Sequence, residues 1–264
     1  MLSGMLRIGF LSLAVFGSAA LGQSTAMTIS SVANTGGENG TALAAGSLAA
    51  IFGNGLAASL ATAGTIPLSA TLGDVTSVTF NGVSAPLSLV SFGQINAQIP
   101  WEVSPGQVTV VVNRASGLST TKDVQVGQFA PALPALNLGT LQAVAVNADG
   151  TLVAAANAIP GVTSHPATAG DTITLLATGL GPVANQPADG SAPPDTSAQT
   201  TSTPTVLIGG VGANVMSAGL SPQYVGMYQV TVVVPGGTAT GSAVPVQIQA
   251  GGITSSDPVT IALQ

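Results

Sequence analysis

The chain has 264 residues, 46% of them apolar and only 5% charged, against about a quarter charged in ordinary soluble domains. With 3 Lys and Arg against 9 Asp and Glu, a net charge of −6, it has no cations to cluster on phosphates, which excludes nucleic acid as a partner and disfavours anionic membrane surfaces. The absence of cysteine removes disulfides, thiolate metal sites and cysteine nucleophiles together.

A mean hydropathy of +0.57 is incompatible with disorder, which needs few apolar residues and a high net charge. The polar surface must therefore be Ser, Thr, Asn, Gln and backbone. That composition suits strands and turns better than helices, whose exposed faces carry Glu, Lys and Arg.

In chain order, Met1 to Arg7 supplies a short positive segment, and Ile8 to Ala20 is an apolar run too short for a spanning helix. Ala20-Leu21-Gly22 follows with the small-x-small pattern of an export cleavage site, so residues 1–22 are expected to be a signal peptide. Its removal takes Arg7 and leaves two cations against nine acids, a charge of −7. Leu43 to Gly64 is uncharged, but Gly53-Asn54-Gly55 at its middle would leave backbone groups unpaired in lipid. No membrane insertion is expected after signal removal, and aromatics at 3% cannot furnish the girdles of a transmembrane barrel.

Strand signals then dominate. Ile95, Ala97 and Ile99 alternate with Asn96 and Gln98, and Val244, Val246 and Ile248 alternate with Pro245, Gln247 and Gln249. Each pattern predicts one dry face and one wet face. Val108 to Val112 and Val230 to Val234 are β-branched runs suited to buried strands. Pro245 predicts an edge strand or a bulge, because it has no N–H to donate. Tyr224 and Tyr228, four apart, fall on one face if their strand is regular. No helical stripe is present, and the chain is predicted to be all-β.

The two halves echo each other. Ala45 to Leu56 aligns with Ala169 to Leu180, and Val78 to Ala85 aligns with Val206 to Ala213. Each half then reaches a strand ending in proline, Ile95 to Pro100 and Gln229 to Pro235, followed by a turn and further short strands. The expected organisation is two tandem immunoglobulin-like β-sandwich domains, 23–127 and 166–264, joined by a linker and β-hairpin over 128–165. Pro131 and Pro134 extend the start of that connection. Gln142 to Val146 and Thr151 to Ala155 flank the turn Asn147-Ala148-Asp149-Gly150, in a hairpin placed on either domain or across the joint. Long loops occupy matching positions, 58–76 and 184–204. The second, rich in Pro, Ala, Ser, Thr and Gly, is expected to be flexible.

These residues carry a resemblance. The repeat is similar to IPT/TIG-type immunoglobulin-like domains, and the chain resembles the uncharacterised Solibacter-type C-terminal domain family of secreted bacterial proteins. The matching stretches are Gly46 to Gly53, Gln94 to Trp101, Ala145 to Gly150, Ala177 to Val183 and Val225 to Val230. The resemblance covers about Ile29 to Leu263. It implies a β-sandwich fold and an extracellular setting, and it supplies no activity and no catalytic residues.

Candidate chemistry is sparse. His165 is the single histidine, in the loop Ser164-His165-Pro166, and no Gly-x-Ser-x-Gly elbow accompanies it to place a nucleophile. The acids fall mostly at turns, as in Asp149-Gly150, Asp189-Gly190 and Asp257-Pro258. Oxygen ligands for calcium are conceivable from Asn147 and Asp149, or from Asp189 and Asp195, but neither pair has the spacing of a calcium loop. Trp101 is either a stacking platform or a cover for the sandwich end beside the interdomain joint, and the second reading is favoured.

The sequence thus predicts a secreted, periplasmic or cell-surface non-enzymatic protein, a structural or adhesion-type binding module for an unknown extracellular protein or glycan. Carbohydrate binding is the alternative, and a hydrolase the remote one. No cofactor, metal or catalytic residue is expected, and no ligand-binding residue is designated.

Overall fold

The computed structural model describes residues 26–36, 42–256 and 258–264. The expected signal peptide, and Asp257 of the Asp257-Pro258 turn, lie outside these residues. Every regular element among them is a strand, in agreement with the all-β expectation. Each half is an immunoglobulin-like sandwich.

In the first half, one sheet runs in the order Thr28–Asn34, Leu48–Asn54, Gln94–Gln98, Leu87–Val90, Ala61–Thr62. The facing sheet runs Leu43–Ala44, Ser119–Gly127, Gly106–Arg114, Val75–Phe80, Val83–Ser84. Ile51, Ile95, Phe80, Val110 and Val112 meet between them, all fully buried. Full burial of such a side chain contributes about 1.5–3 kcal/mol. In a chain without disulfides, this packing is the main source of stability.

The second half repeats the first at the level of pairing. Leu48–Asn54 lies antiparallel to Gln94–Gln98 with Ile51 opposite Ile95, and Thr172–Ala177 lies antiparallel to Tyr228–Val233 with Leu175 opposite Val230. Val75–Phe80 pairs with Gly106–Arg114, as Thr205–Ile208 pairs with Gly241–Ala250. One difference joins the second half into a single twelve-stranded sheet. Val211–Leu220 runs unbroken from Thr205–Ile208 to Tyr228–Val233, with an irregularity between Val215 and Ser217. In the first half the corresponding stretch is interrupted at Pro86, giving two separate strands, Val83–Ser84 and Leu87–Val90. Proline cannot donate to the ladder, and the interruption follows.

The connection 128–165 belongs to the second half. Ala145–Asn147 adds to the edge of Thr172–Ala177, and Leu141–Ala143 meets Thr260–Leu263. The extended stretch before them is pinned as well. Ala130 N–H donates to Gly179 O, Ala132 pairs with Thr178, and the Phe129 ring lies close against Gly181 and Gly251.

Four expectations need correction. The loop over 184–204 is docked, not loose: Val183 bridges Thr200, Gln199 bridges Gly219, and Asp189-Gly190 reaches the first half. Gln98 was expected on a wet face but is 1% exposed, because the second half covers it. Tyr224 precedes the strand Tyr228–Val233 and shares no strand face with Tyr228. Pro245 lies in a strand paired on both sides, beside a register shift between Gly241 and Val244. The Pro245 carbonyl accepts Gly209 N–H just past the last paired residue of Thr205–Ile208, so the missing N–H falls where that ladder ends; the strand is irregular next to Pro245 and is not an edge strand.

Candidate functional site

The densest polar arrangement is the joint between the sandwiches. It begins at Gln98, the last residue of the Gln94–Gln98 strand, whose Nε2 donates to Gly46 O at 3.2 Å and whose Oε1 accepts Gly190 N–H at 2.6 Å. Gly190 O in turn accepts Leu68 N–H at 2.8 Å. The 184–204 loop is therefore held to the first half by its backbone. Beside this, Asp189 Oδ1 accepts the backbone N–H of Trp101 at 3.1 Å. Burial pushes the Asp189 carboxyl up to about 6, reinforced by a hydrogen bond and charge repulsion from Glu102, while the Trp101 N–H pulls the other way.

Trp101 belongs to the first half but packs against the core of the second. Gly46 has φ +79°, and a Cβ there would lie 2.2 Å from the indole. Across the joint Gly226, with φ +70°, abuts Gly46 O, and a Cβ on it would lie 2.9 Å away. Glycine is thus required at both positions by conformation and by space. The indole Nε1 is buried without a hydrogen-bond partner. Trp101 covers the interdomain joint, as favoured from the sequence.

His165 and Asp149 meet across the connecting hairpin. His165 Nε2 lies 3.2 Å from Asp149 Oδ2, and Nδ1 lies 2.9 Å from Pro166 O. Both ring nitrogens act as donors when the ring is charged, and the Pro166 carbonyl and then Asp149 raise its pKa. Asp149 is held down to about 2, mainly by the Thr151 hydroxyl and N–H and then by His165. Thr151 Oγ1 donates to Asp149, not to the imidazole, so the arrangement pins a turn and activates no hydroxyl.

The other described acids are also engaged locally. Arg114 contacts Asp74 Oδ2 through Nη2 at 2.6 Å and Nε at 2.8 Å, and reaches Gly55 O through Nη1. Burial would raise the Asp74 pKa, but Ala58 N–H and Arg114 outweigh it and lower it. Asp123 accepts from Thr109 and Gln107, Asp171 from Thr168 N–H, and Asp195 from Ser197 N–H. The calcium candidates therefore divide: Asp189 sits in the joint and Asp195 in its own turn, while Asn147 Nδ2 donates to His165 O and Thr151 Oγ1.

Several large apolar side chains are exposed among the described residues, Met216 and Ile66 among them, and two lie near one edge of the first sheet. Ala61 pairs with Val90 at the edge of the first sheet, and at the end of that pair lie Leu60, 59% exposed, and Phe92, 53% exposed. The Phe92 carbonyl accepts Leu56 N–H, which fixes the turn that carries the ring. Phe92 is the one aromatic residue more than a third exposed among the described residues. Unlike Phe52 and Phe80, which lie inside strands, Phe92 sits in the turn between Leu87–Val90 and Gln94–Gln98.

No family model matches the chain, and no curated protein matches it. Among solved structures it is similar to the Bacteroides ovatus mixed-linkage glucan utilization locus protein SGBP-B, solved with a mixed-linkage heptasaccharide. That match has 14% identity and a TM-score of 0.34, and covers 85% of this chain and 44% of the other. It is also similar to the gamma-CGTase of Alkalophilic bacillus clarkii, with 13% identity, a TM-score of 0.29, and 89% and 25% of the two chains covered. A third likeness is the I9–I11 tandem of titin, with 11% identity, a TM-score of 0.20, and 90% and 66% covered. This chain thus spans less than half the length of the first and a quarter of the second. All three are distant likenesses. No helix among the described residues is long and apolar enough to cross a membrane.

Proposed function

We propose that this chain is a secreted, non-enzymatic binding module that meets a protein partner through the apolar end of its first sandwich. The observation that carries this reading is the exposure of Leu60 and Phe92, which lie one and two positions beyond the Ala61–Val90 pair at the sheet edge. An exposed aromatic and an exposed aliphatic side chain near one sheet edge are the kind of residues that anchor protein contacts. The engagement of Asp74, Asp123, Asp149, Asp171, Asp189, Asp195 and His165 in turns, strands and the joint supports a structural use of the acids rather than a reactive one. Export, and kinship with the Solibacter-type family, are parts of the same proposal and rest on the sequence motifs.

Carbohydrate binding is the second reading. Its best sequence candidate, Trp101, lies in the interdomain joint, which leaves Phe92 as the exposed ring for stacking. Co-sedimentation of the purified protein separates the readings. Retention on whole cells is expected, abolished by protease treatment of the cells and weakened at least roughly ten-fold by Phe92→Ser. Retention on purified insoluble polysaccharide instead would replace the protein partner with a glycan.

A further inference from the structure

One outer edge of the twelve-stranded sheet is the strand Ser164–His165, which pairs in parallel with Leu152–Val153. Leu152 N–H donates to Thr163 O across that pairing at 3.1 Å. The His165 side chain adds a tie from this edge to the turn that carries Asp149. Its ring nitrogens face two acceptors, the Pro166 carbonyl at 2.9 Å from Nδ1 and Asp149 Oδ2 at 3.2 Å from Nε2. A neutral imidazole carries one N–H and serves only one of them, whereas the charged ring serves both. The other polar group near Nε2 is Asn147 Nδ2, at 3.5 Å, whose hydrogens go to His165 O at 3.2 Å and Thr151 Oγ1 at 3.1 Å. A neutral Nε2 takes a hydrogen from Asn147 only if one of those bonds is given up. Asn147 is buried, and its Oδ1 is already without a hydrogen-bond partner, so losing a further bond there is costly.

We propose that His165 is a proton-operated clasp on this sheet edge: the charged ring ties the Ser164–His165 strand to the Asp149 turn, and loss of its proton releases the turn. The charged groups that face the ring are Asp149 from the turn and Asp171 from the segment before Thr172–Ala177, both acidic, and Asp171 acts by charge alone. The Pro166 carbonyl first, then Asp149, raise the ring's pKa above the ordinary 6.5, and Asp149 itself is held down to about 2. The sign follows from linkage. The clasp contributes its full stability below pH 6.5 and loses it as pH rises through the raised value of the folded ring. On the acid side its contribution is present above 3.8 and is lost as pH falls through about 2, where Asp149 takes up a proton. Both side chains are roughly half exposed, so screening limits the effect to that of an exposed ion pair, about two- to five-fold in an equilibrium constant.

The clasp uses neither Leu60 nor Phe92, so its test needs no binding partner. His165 is the single histidine, and its ring protons can be titrated by NMR in the whole protein. In the wild type the midpoint is expected above 6.5. Exchange protection of the Leu152 amide, corrected for the intrinsic rate, is expected to fall about two- to five-fold between about pH 5.5 and pH 8.5. Asp149→Asn keeps an amide oxygen for the Thr151 hydroxyl and N–H. In that variant the ring midpoint is expected to drop by about 0.3–0.7 pH units, the same two- to five-fold expressed on the pH scale, and Leu152 protection to stay flat with pH. A wild-type midpoint at or below 6.5, a midpoint unmoved by Asp149→Asn, or an equal fall of Leu152 protection in both proteins would overturn the proposal.

Discussion

The packing of Trp101 on Gly46 couples the backbone of one half to the core of the other. Gly46→Ala brings a methyl within 2.2 Å of the ring and imposes a side chain at φ +79°. It is therefore expected to cost about 2–3 kcal/mol in denaturant unfolding, with a red shift of Trp101 emission as the indole is displaced. A loss below about 0.5 kcal/mol would show that the ring is not held there. The residue scale also shows where sequence reasoning stops. The alternation at Val244, Val246 and Ile248 holds, with Gln247 and Gln249 exposed. The same alternation fails at Gln98, which is buried by a segment more than ninety positions away. Local periodicity reports the face of a strand and carries no information about what docks on it. The turn acids were legible because their partners lie within two or three residues, as with Asp149 and Thr151. The hydrogen bond from Trp101 N–H to Asp189 was not, because nothing local couples them.

At the scale of elements, the internal repeat was the most informative feature of the sequence. The aligned segments take equivalent strand partners in both halves. Proline placement was informative in a different way. Pro86 breaks the first half's crossing strand, while Val211–Leu220 continues without interruption. Placing a proline in that continuous strand is therefore expected to be severe. Ala218 pairs with Val230 and its carbonyl accepts Thr200 N–H. Ala218→Pro is expected to cost about 3 kcal/mol or more, measured as a lowered denaturation midpoint at unchanged slope; an unchanged midpoint would show that the strand tolerates a break. The hairpin of Ala145–Asn147 and Leu152–Val153, read from the sequence as Gln142 to Val146 and Thr151 to Ala155, was visible from its Asp149-Gly150 turn. Its attachment to the second half depends on the open edge of Thr172–Ala177, which only the assembled sheet displays.

The whole molecule is two sandwiches sharing one joint, in which Trp101, Gln98, Gly46 and Gly226 from the two sides are in contact with each other or with the docked loop. Low charge is consistent with that design. With 5% of residues charged, hydrogen bonds of the backbone and of Gln and Asn do the joining. The coupling of the halves is the claim on which the anchored position of Trp101 depends. Equilibrium denaturation at pH 5 tests it most directly, following Trp101 fluorescence for the joint and far-UV circular dichroism for the strands. Coupled sandwiches unfold in one step, so the two signals are expected to coincide at one midpoint. A fluorescence change completed before the loss of strand signal, or two resolved strand transitions, would show that the halves are independent and contradict the account.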